Sequence, residues 1–277
     1  MICRGKFTFV GIYLAVLSTF MFLSAYPSGA SVLLEDQTWT ELRDLIKSGT
    51  TTIIVPIGGV EQSGPAIALG KHDVRVKYLA AKIAERLGNA LVAPVISYVP
   101  EGSIDPPTGH MKFPGTISIS DKVFEQLLDS AARSFKLHGF TTIVLIGDHG
   151  GYQADERLVA DRLNREWGNT PARVFAALDY YEITQGAYVE KLLSSGAKSS
   201  EIGTHAGLAD TSLMLAIDPS MVRMDRIRTA PKLGAADGVY GGDPTRSSGE
   251  LGQIGVDLIV NGTTDAIREF IANRRPQ

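Results

Sequence analysis

Thr141-Thr-Ile-Val-Leu-Ile-Gly-Asp-His-Gly-Gly151 decides the fold class. Six strand-forming residues run without a charge, and a glycine-flanked polar turn follows at once. A short apolar run bounded by turn signals reads as a strand buried on both faces, the kind found in parallel sheets covered by helices. Thr51-Thr-Ile-Ile-Val-Pro56, Ala90-Leu-Val-Ala-Pro-Val95 and the stretch from Val174 to Leu178 read the same way. Helical periods separate them. Trp39 to Ile46 has Thr38 or Thr40 as cap. Val74 to Leu87 aligns Val76, Leu79, Ala80, Ile83 and Leu87, with Gly88 as stop. Asp121 to Leu137 aligns Val123, Leu127, Leu128, Ala131 and Phe135, and a further helix is expected over about 153–167. The alternation predicts a single α/β domain over residues 31–277, three-layer α/β/α with a mostly parallel central sheet. Residues 97–118, rich in Gly, Pro and Ser, read as a long ordered loop, and such loops inside domains carry function.

The N-terminus reads as an export signal. Arg4 and Lys6 precede an apolar run from Phe7 to Leu23, and small residues lead to Ser28-Gly-Ala30. An uncleaved anchor is the alternative, because the run approaches the roughly 17–25 residues of a spanning helix. Pro27, Gly29 and the Ser-Gly-Ala site favour cleavage after Ala30, which predicts a periplasmic or secreted chain without membrane attachment. The one cysteine, Cys3, falls in the leader. A disulfide framework, a thiol nucleophile and Cys-ligated zinc are thereby excluded from the mature chain. Loss of Arg4 and Lys6 shifts the net charge from −3 to −5. With no Lys/Arg cluster, neither nucleic acid nor anionic lipid is expected as the main partner.

Ligands of parallel sheets bind outside the carboxyl ends of the strands. The segments after 51–56 and 141–146 therefore carry the candidates: Glu61 in a glycine-rich loop, His72-Asp73 further along, and His149 in the Gly147–Gly151 turn. His149 could also serve as a helix cap, and Asp73 as an N-cap. His138 sits where a helix end is expected, and His110 lies in the long loop. Trp167, Tyr180 and Tyr181 read as core or interface. No G-x-G-x-x-G or Walker pattern is present, so a nucleotide cofactor is not indicated.

Four blocks in order resemble the creatininase (creatinine amidohydrolase) family. They are Glu61-Gln-Ser-Gly-Pro-Ala-Ile-Ala-Leu-Gly-Lys-His72, His110-Met-Lys-Phe-Pro-Gly-Thr116, Gly147-Asp-His-Gly-Gly-Tyr152 and His205-Ala-Gly-Leu-Ala-Asp-Thr-Ser212. Gly242-Asp-Pro244 repeats a feature of the family's tail. The resemblance implies a metal-dependent amidohydrolase that acts on a small molecule and assembles as a homo-oligomer. It also implies two divalent metals, joined by a carboxylate at the position His72 fills and completed by a histidine at the position of Ser63. Those two departures lead us to expect one metal, held by Glu61, His72 and His149, with Asp73 as the competing ligand. Zinc is the expected ion, with Mn or Fe as alternatives, and a His₂-carboxylate set suits activation of a water and polarisation of a carbonyl. His205 corresponds to the family's acid/base and needs a pKa near the working pH for that role. Asp210, in place of the family's glutamate, is expected as a catalytic carboxylate beside it, with orienting His205, contacting the metal or supporting the ligands as the open roles. Ser63, His110, Gly150 and Gly151 are expected to line the substrate pocket. The expected reaction is cleavage of a C–N bond in a small, cyclic amide. A lactonase or esterase, and a non-catalytic periplasmic binding protein on the same fold, are the alternatives.

Overall fold

The computed structural model describes residues 31–229 and 232–273. The expected leader, residues 1–30, lies outside them. Strands β1 (Thr52–Ile57), β2 (Ala90–Val92), β3 (Thr142–Gly147) and β4 (Arg173–Ala176) form one sheet in the order β2-β1-β3-β4, every pairing parallel. All of β1 and β3 is buried, which is why their sequences lack the apolar/polar alternation of a half-exposed strand. The strand expected over 90–95 stops at Val92 because Pro94 has no N–H for the ladder; pairing resumes as a single bridge between Ile57 and Ile96.

The two sheet faces sort by residue parity. Ile53, Val55, Ile57, Ile143 and Leu145 pack with Leu42 and Leu45 of α1 (Trp39–Lys47). The same face takes Phe124 and Leu128, and Val159 and Leu163, from later helices. Ile54, Val144 and Ile146 pack with Val76, Leu79 and Ile83 of α2 (Lys71–Leu87). Phe124 belongs to α3 (Asp121–His138) and Val159 to α4 (Gln153–Glu166). These are the three expected layers, and each fully buried Ile or Leu adds about 1.5–3 kcal/mol. Beyond β4 come α5 (Asp179–Gln185), α6 (Ala187–Ser194) and α7 (Ser199–Ile202). A two-stranded antiparallel ribbon, β5 (Gly203–His205) with β6 (Tyr240–Gly242), brackets α8 (Leu208–Ile217) and α9 (Met224–Thr229). The chain closes with α10 (Gly249–Ala272), whose Gly252 lets it lie against α8: a Cβ there would sit 1.8 Å from the Ser212 carbonyl oxygen. No helix among the described residues is long and apolar enough to cross a membrane.

Helix α2 starts at Lys71, three residues earlier than the sequence suggests. Asp73 does not cap it. Its Oδ1 accepts the Gly59 N–H at 2.9 Å, and Gly70 takes the cap position without a side-chain bond. The early start places Lys71 and His72 in the first turn, next to the carboxyl end of β1. The chain runs from β1 to β2 on one side and then crosses to β3 on the other, so β1 and β3 flank the switch point where such sheets bind ligands.

Candidate functional site

Glu61, on the loop after β1, is fully buried and is the hub of the site. Its two oxygens face different groups. Oε1 accepts from His72 Nε2 at 2.6 Å and lies 3.5 Å from Lys71 Nζ. Oε2 has no hydrogen-bond partner among the described residues and faces His110 Nε2 at 3.2 Å and His149 Nε2 at 3.7 Å. Ligand atoms of Glu61, His110 and His149 all lie within 4.8 Å of one another, a spacing that can hold a metal ion. An orphaned carboxylate oxygen converging with two imidazoles is a donor set that fits a divalent cation.

The structure brings Glu61 and His149 together as expected but supplies His110, not His72, as the third member. His72 has both nitrogens committed: Nε2–H to Glu61 and Nδ1–H to Asp148 Oδ2 at 2.5 Å. Burial and Lys71 oppose its charge, yet Glu61 and Asp148 outweigh them, and its pKa is raised. Both ring nitrogens thus face carboxylates, in the directions from which a metal would approach. Asp73, the competing ligand in the sequence, is tied to Gly59.

His110 reaches the hub because the long loop is pinned to the Glu61 segment. Thr116 Oγ1 accepts the Gln62 N–H at 3.1 Å, and the Ile117 N–H donates to the Val60 carbonyl at 3.0 Å. Gln62 then donates from its side-chain amide to His110 Nδ1 at 2.9 Å. His149 Nδ1 accepts the Gly151 N–H at 3.1 Å, which aims Nε2 at Glu61. Burial lowers the His149 pKa to about 4, the positive charges of His72 and Lys71 adding to the effect against the pull of Glu61, so the ring is neutral as ligation requires. Burial likewise lowers the pKa of His110.

Behind the hub runs a closed ring of alternating charge: Glu61, Lys71, Asp210, Arg75, Asp148, His72 and back to Glu61. Lys71 Nζ pairs with Asp210 Oδ2, and Arg75 reaches Asp210 Oδ1 at 2.5 Å. Arg75 Nε also donates to both oxygens of Asp148, at 2.8 and 3.0 Å, while Tyr180 Oη donates to Asp148 Oδ1 at 2.6 Å. Burial pushes the Asp148 and Asp210 carboxyls up, but their cationic neighbours prevail; Asp148 is held below the usual carboxylate range and Asp210 well below it. Such a ring is tolerable inside a protein only because every charge has a partner; removing one member of a buried pair costs on the order of 3–5 kcal/mol. Lys71 and His72 lie in the first turn of α2, where a positive charge opposes the helix dipole by about 0.3–1 kcal/mol, and Glu61, Asp148 and Asp210 offset that.

His205 Nε2–H donates to the Gln62 carbonyl at 2.8 Å, leaving Nδ1 unprotonated 3.6 Å from Glu61 Oε1. The acid/base role expected of it presumes an ordinary imidazole pKa. Burial first and the Lys71 charge second push it down to about 3, so at neutral pH Nδ1 accepts hydrogen bonds and holds no proton. Asp210, expected beside it as a catalytic carboxylate, is instead the anion between Lys71 and Arg75, and it accepts the Ala206 N–H at 3.0 Å.

A cleft of about 230 Å³ opens over this floor. Tyr181, Thr184 and Tyr188 form one wall, His205 and Tyr240 the other, and His110 and His149 face in from the hub. The other expected pocket residues lie elsewhere. Ser63 is buried with its Oγ unpartnered and does not line the cleft. Gly151 holds His149, and Gly150 makes room for Tyr181, whose Oη a Cβ would meet at 2.7 Å. Trp167 and Tyr180 are buried as expected, while Tyr181 is a cleft residue that reading missed. Glu101 was also missed. It is buried, and burial, the Glu61 charge and the close approach of the Glu61 carboxyl raise its pKa to about 8. Its Oε2 lies 3.7 Å from His149 Nδ1. A lone Glu in a Gly/Pro-rich loop gives no sign of this in the sequence.

The creatininase family model, described as creatinine amidohydrolase, matches residues 35–267. A creatinine amidohydrolase of Pseudomonas putida is 28% identical over 86% of this chain and 97% of its own length. A mycofactocin precursor peptide peptidase of Mycolicibacterium smegmatis is 28% identical over 90% of this chain and 94% of its own. Among solved structures, the Mn form of creatininase superposes with a TM-score of 0.69 at 27% identity, covering 87% of this chain and 99% of that one.

Proposed function

The chain belongs to the creatininase family and is a metal-dependent amidohydrolase, and on that premise we propose that it hydrolyses a C–N bond of a small cyclic amide at one divalent cation held by Glu61, His110 and His149. One observation carries the ligand set: the buried, unpartnered Oε2 of Glu61 faces two imidazole Nε2 atoms. Glu61, His110 and His149 would hold the ion, which would supply Lewis acidity toward a carbonyl oxygen and lower the pKa of a water toward neutrality. The chain's own residues do the positioning. His205 Nδ1, kept unprotonated, accepts a hydrogen bond from a substrate N–H, while its Nε2–H is anchored on the Gln62 carbonyl. Burial and the Glu61 charge favour the protonated carboxyl of Glu101, next to the His149 ring. The cleft, about 230 Å³, is smaller than the roughly 300–1,000 Å³ of sites for drug-sized ligands, which supports a compact substrate.

Zinc or manganese, export to the periplasm and assembly into a homo-oligomer belong to the same proposal. Two measurements test it. Loss of the His110 ligand in His110→Ala is expected to weaken cation binding by more than about 100-fold. His72→Gln, which alters only a residue bonded to a ligand, is expected to fall within the roughly 10–100-fold of such outer partners. The reverse order overturns the ligand set. Cation-loaded protein is then assayed against small lactams, lactones and short peptides; turnover confined to lactones or to linear peptides overturns the cyclic-amide reading.

A further inference from the structure

We propose that the Lys71 ammonium is a built-in cation that takes the place a second divalent ion would otherwise fill, fixing the site at one metal per chain. The proposal rests on the ligand set of Glu61, His110 and His149 given above. Lys71 is 1% exposed, and its Nζ sits between Asp210 Oδ2, with which it pairs, and Glu61 Oε1 at 3.5 Å. No water-facing role explains a lysine there, and an ammonium so buried is stable only against carboxylates that need it. Lys71 and Arg75 are four residues apart, hence on one face of α2, and both meet on Asp210. Arg75 takes Oδ1, while Lys71 and the Ala206 N–H take Oδ2, so no oxygen of Asp210 remains for a metal.

Glu61 is divided the same way. Its Oε1 is occupied by His72 and faced by Lys71, and only Oε2 stays open, toward His110 and His149. Of the four oxygens of Glu61 and Asp210, only Glu61 Oε2 is left open to a cation, and these two carboxylates, which could clamp a second ion, are bridged by a tethered positive charge. That charge cannot be removed by a chelator. It holds Glu61 against Asp210 whether or not the metal is bound, so Lys71 acts as a positioning residue for Glu61. Repulsion from an ammonium against the adjoining carboxylates keeps a second dication out.

The test uses the full chain stripped with EDTA and titrated with manganese(II) chloride, followed by calorimetry and by the electron paramagnetic resonance spectrum of bound Mn. The parent is expected to bind one equivalent with the spectrum of an isolated ion. Lys71→Gln removes the ammonium that lies between Asp210 Oδ2 and Glu61 Oε1 and is expected to bind two, with the broadened spectrum of a coupled pair. Lys71→Arg keeps the charge and is expected to stay at one. Two equivalents in the parent or in Lys71→Arg overturn the proposal, and so does one equivalent in a Lys71→Gln protein that unfolds cooperatively. If Lys71→Gln does not fold, the parent and Lys71→Arg decide by the same criterion. A parent that binds none overturns the underlying ligand set and this proposal with it.

Discussion

Replacing Glu156 with glutamine should make this protein more stable the higher the pH, because Glu156 is a carboxyl group kept in a place with nothing to ionise against. It lies on the first turns of α4, fully buried, and neither carboxyl oxygen has a hydrogen-bond partner among the described residues. Gly147, just ahead of the Asp148-His149 turn, leaves it room: a Cβ there would come within 2.0 Å of Oε1. Burial, helped by the charge of Asp155, pushes its pKa well above the ordinary value. In the unfolded chain the same group ionises near about 4.3. The folded pKa is the higher one, so the stability Glu156 contributes is complete below about 4.3 and is lost as pH rises toward the folded pKa. Each pH unit in that window costs the parent about 1.4 kcal/mol that the glutamine variant does not lose. The buried amide of glutamine has its own desolvation cost of about 1–3 kcal/mol, but that cost does not change with pH. The quantity to read is therefore the change in the variant-minus-parent unfolding free energy between pH 5 and pH 8, by urea denaturation of metal-free protein. It should rise by at least about 1.4 kcal/mol, near 2–4 °C in Tm for a domain of this size. A difference that stays flat from pH 5 to pH 8 refutes the reasoning.

Asp148→Asn removes the anion shared by Arg75, His72 and Tyr180; it should lose about 3–5 kcal/mol by urea denaturation, and a loss under 1 kcal/mol would show that the charge ring is not cooperative. Gly252→Ala drives a methyl group into the Ser212 carbonyl and should cost about 1–3 kcal/mol as helices α8 and α10 separate, read as a fall in Tm. Ile143→Ala, in the middle of the doubly covered strand β3, should cost about 2–5 kcal/mol in the same assay. Chelation should abolish hydrolysis and added Mn or Zn restore it, as the unpartnered Glu61 Oε2 requires; activity surviving exhaustive chelation, checked by elemental analysis, contradicts a metal at that position.

The sequence alone determined the parallel sheet, because a strand buried on both faces writes its environment directly into a run of β-branched residues, as at Ile53–Val55 and Ile143–Leu145. It also placed Glu61 and His149, since both follow such strands at the end where parallel sheets bind ligands. For the third place it pointed to His72, with Asp73 as competitor, whereas the ligand atoms that converge with Glu61 and His149 are those of His110. Which nitrogen points where depends on partners distant in the chain: Asp148 holds His72 on the far side of Glu61, and Gln62 with Thr116 brings His110 to the near side. The boundary of α2 was shifted for the same reason, because Asp73 serves the Gly59 backbone instead of its own helix. The charges followed suit. His205 has an unremarkable sequence context, yet burial first, and the Lys71 charge from another element second, push its pKa down to about 3. Periodicity reports which face of a segment avoids water; the direction of a lone pair and the charge beside it are set by residues that only the folded chain brings into contact.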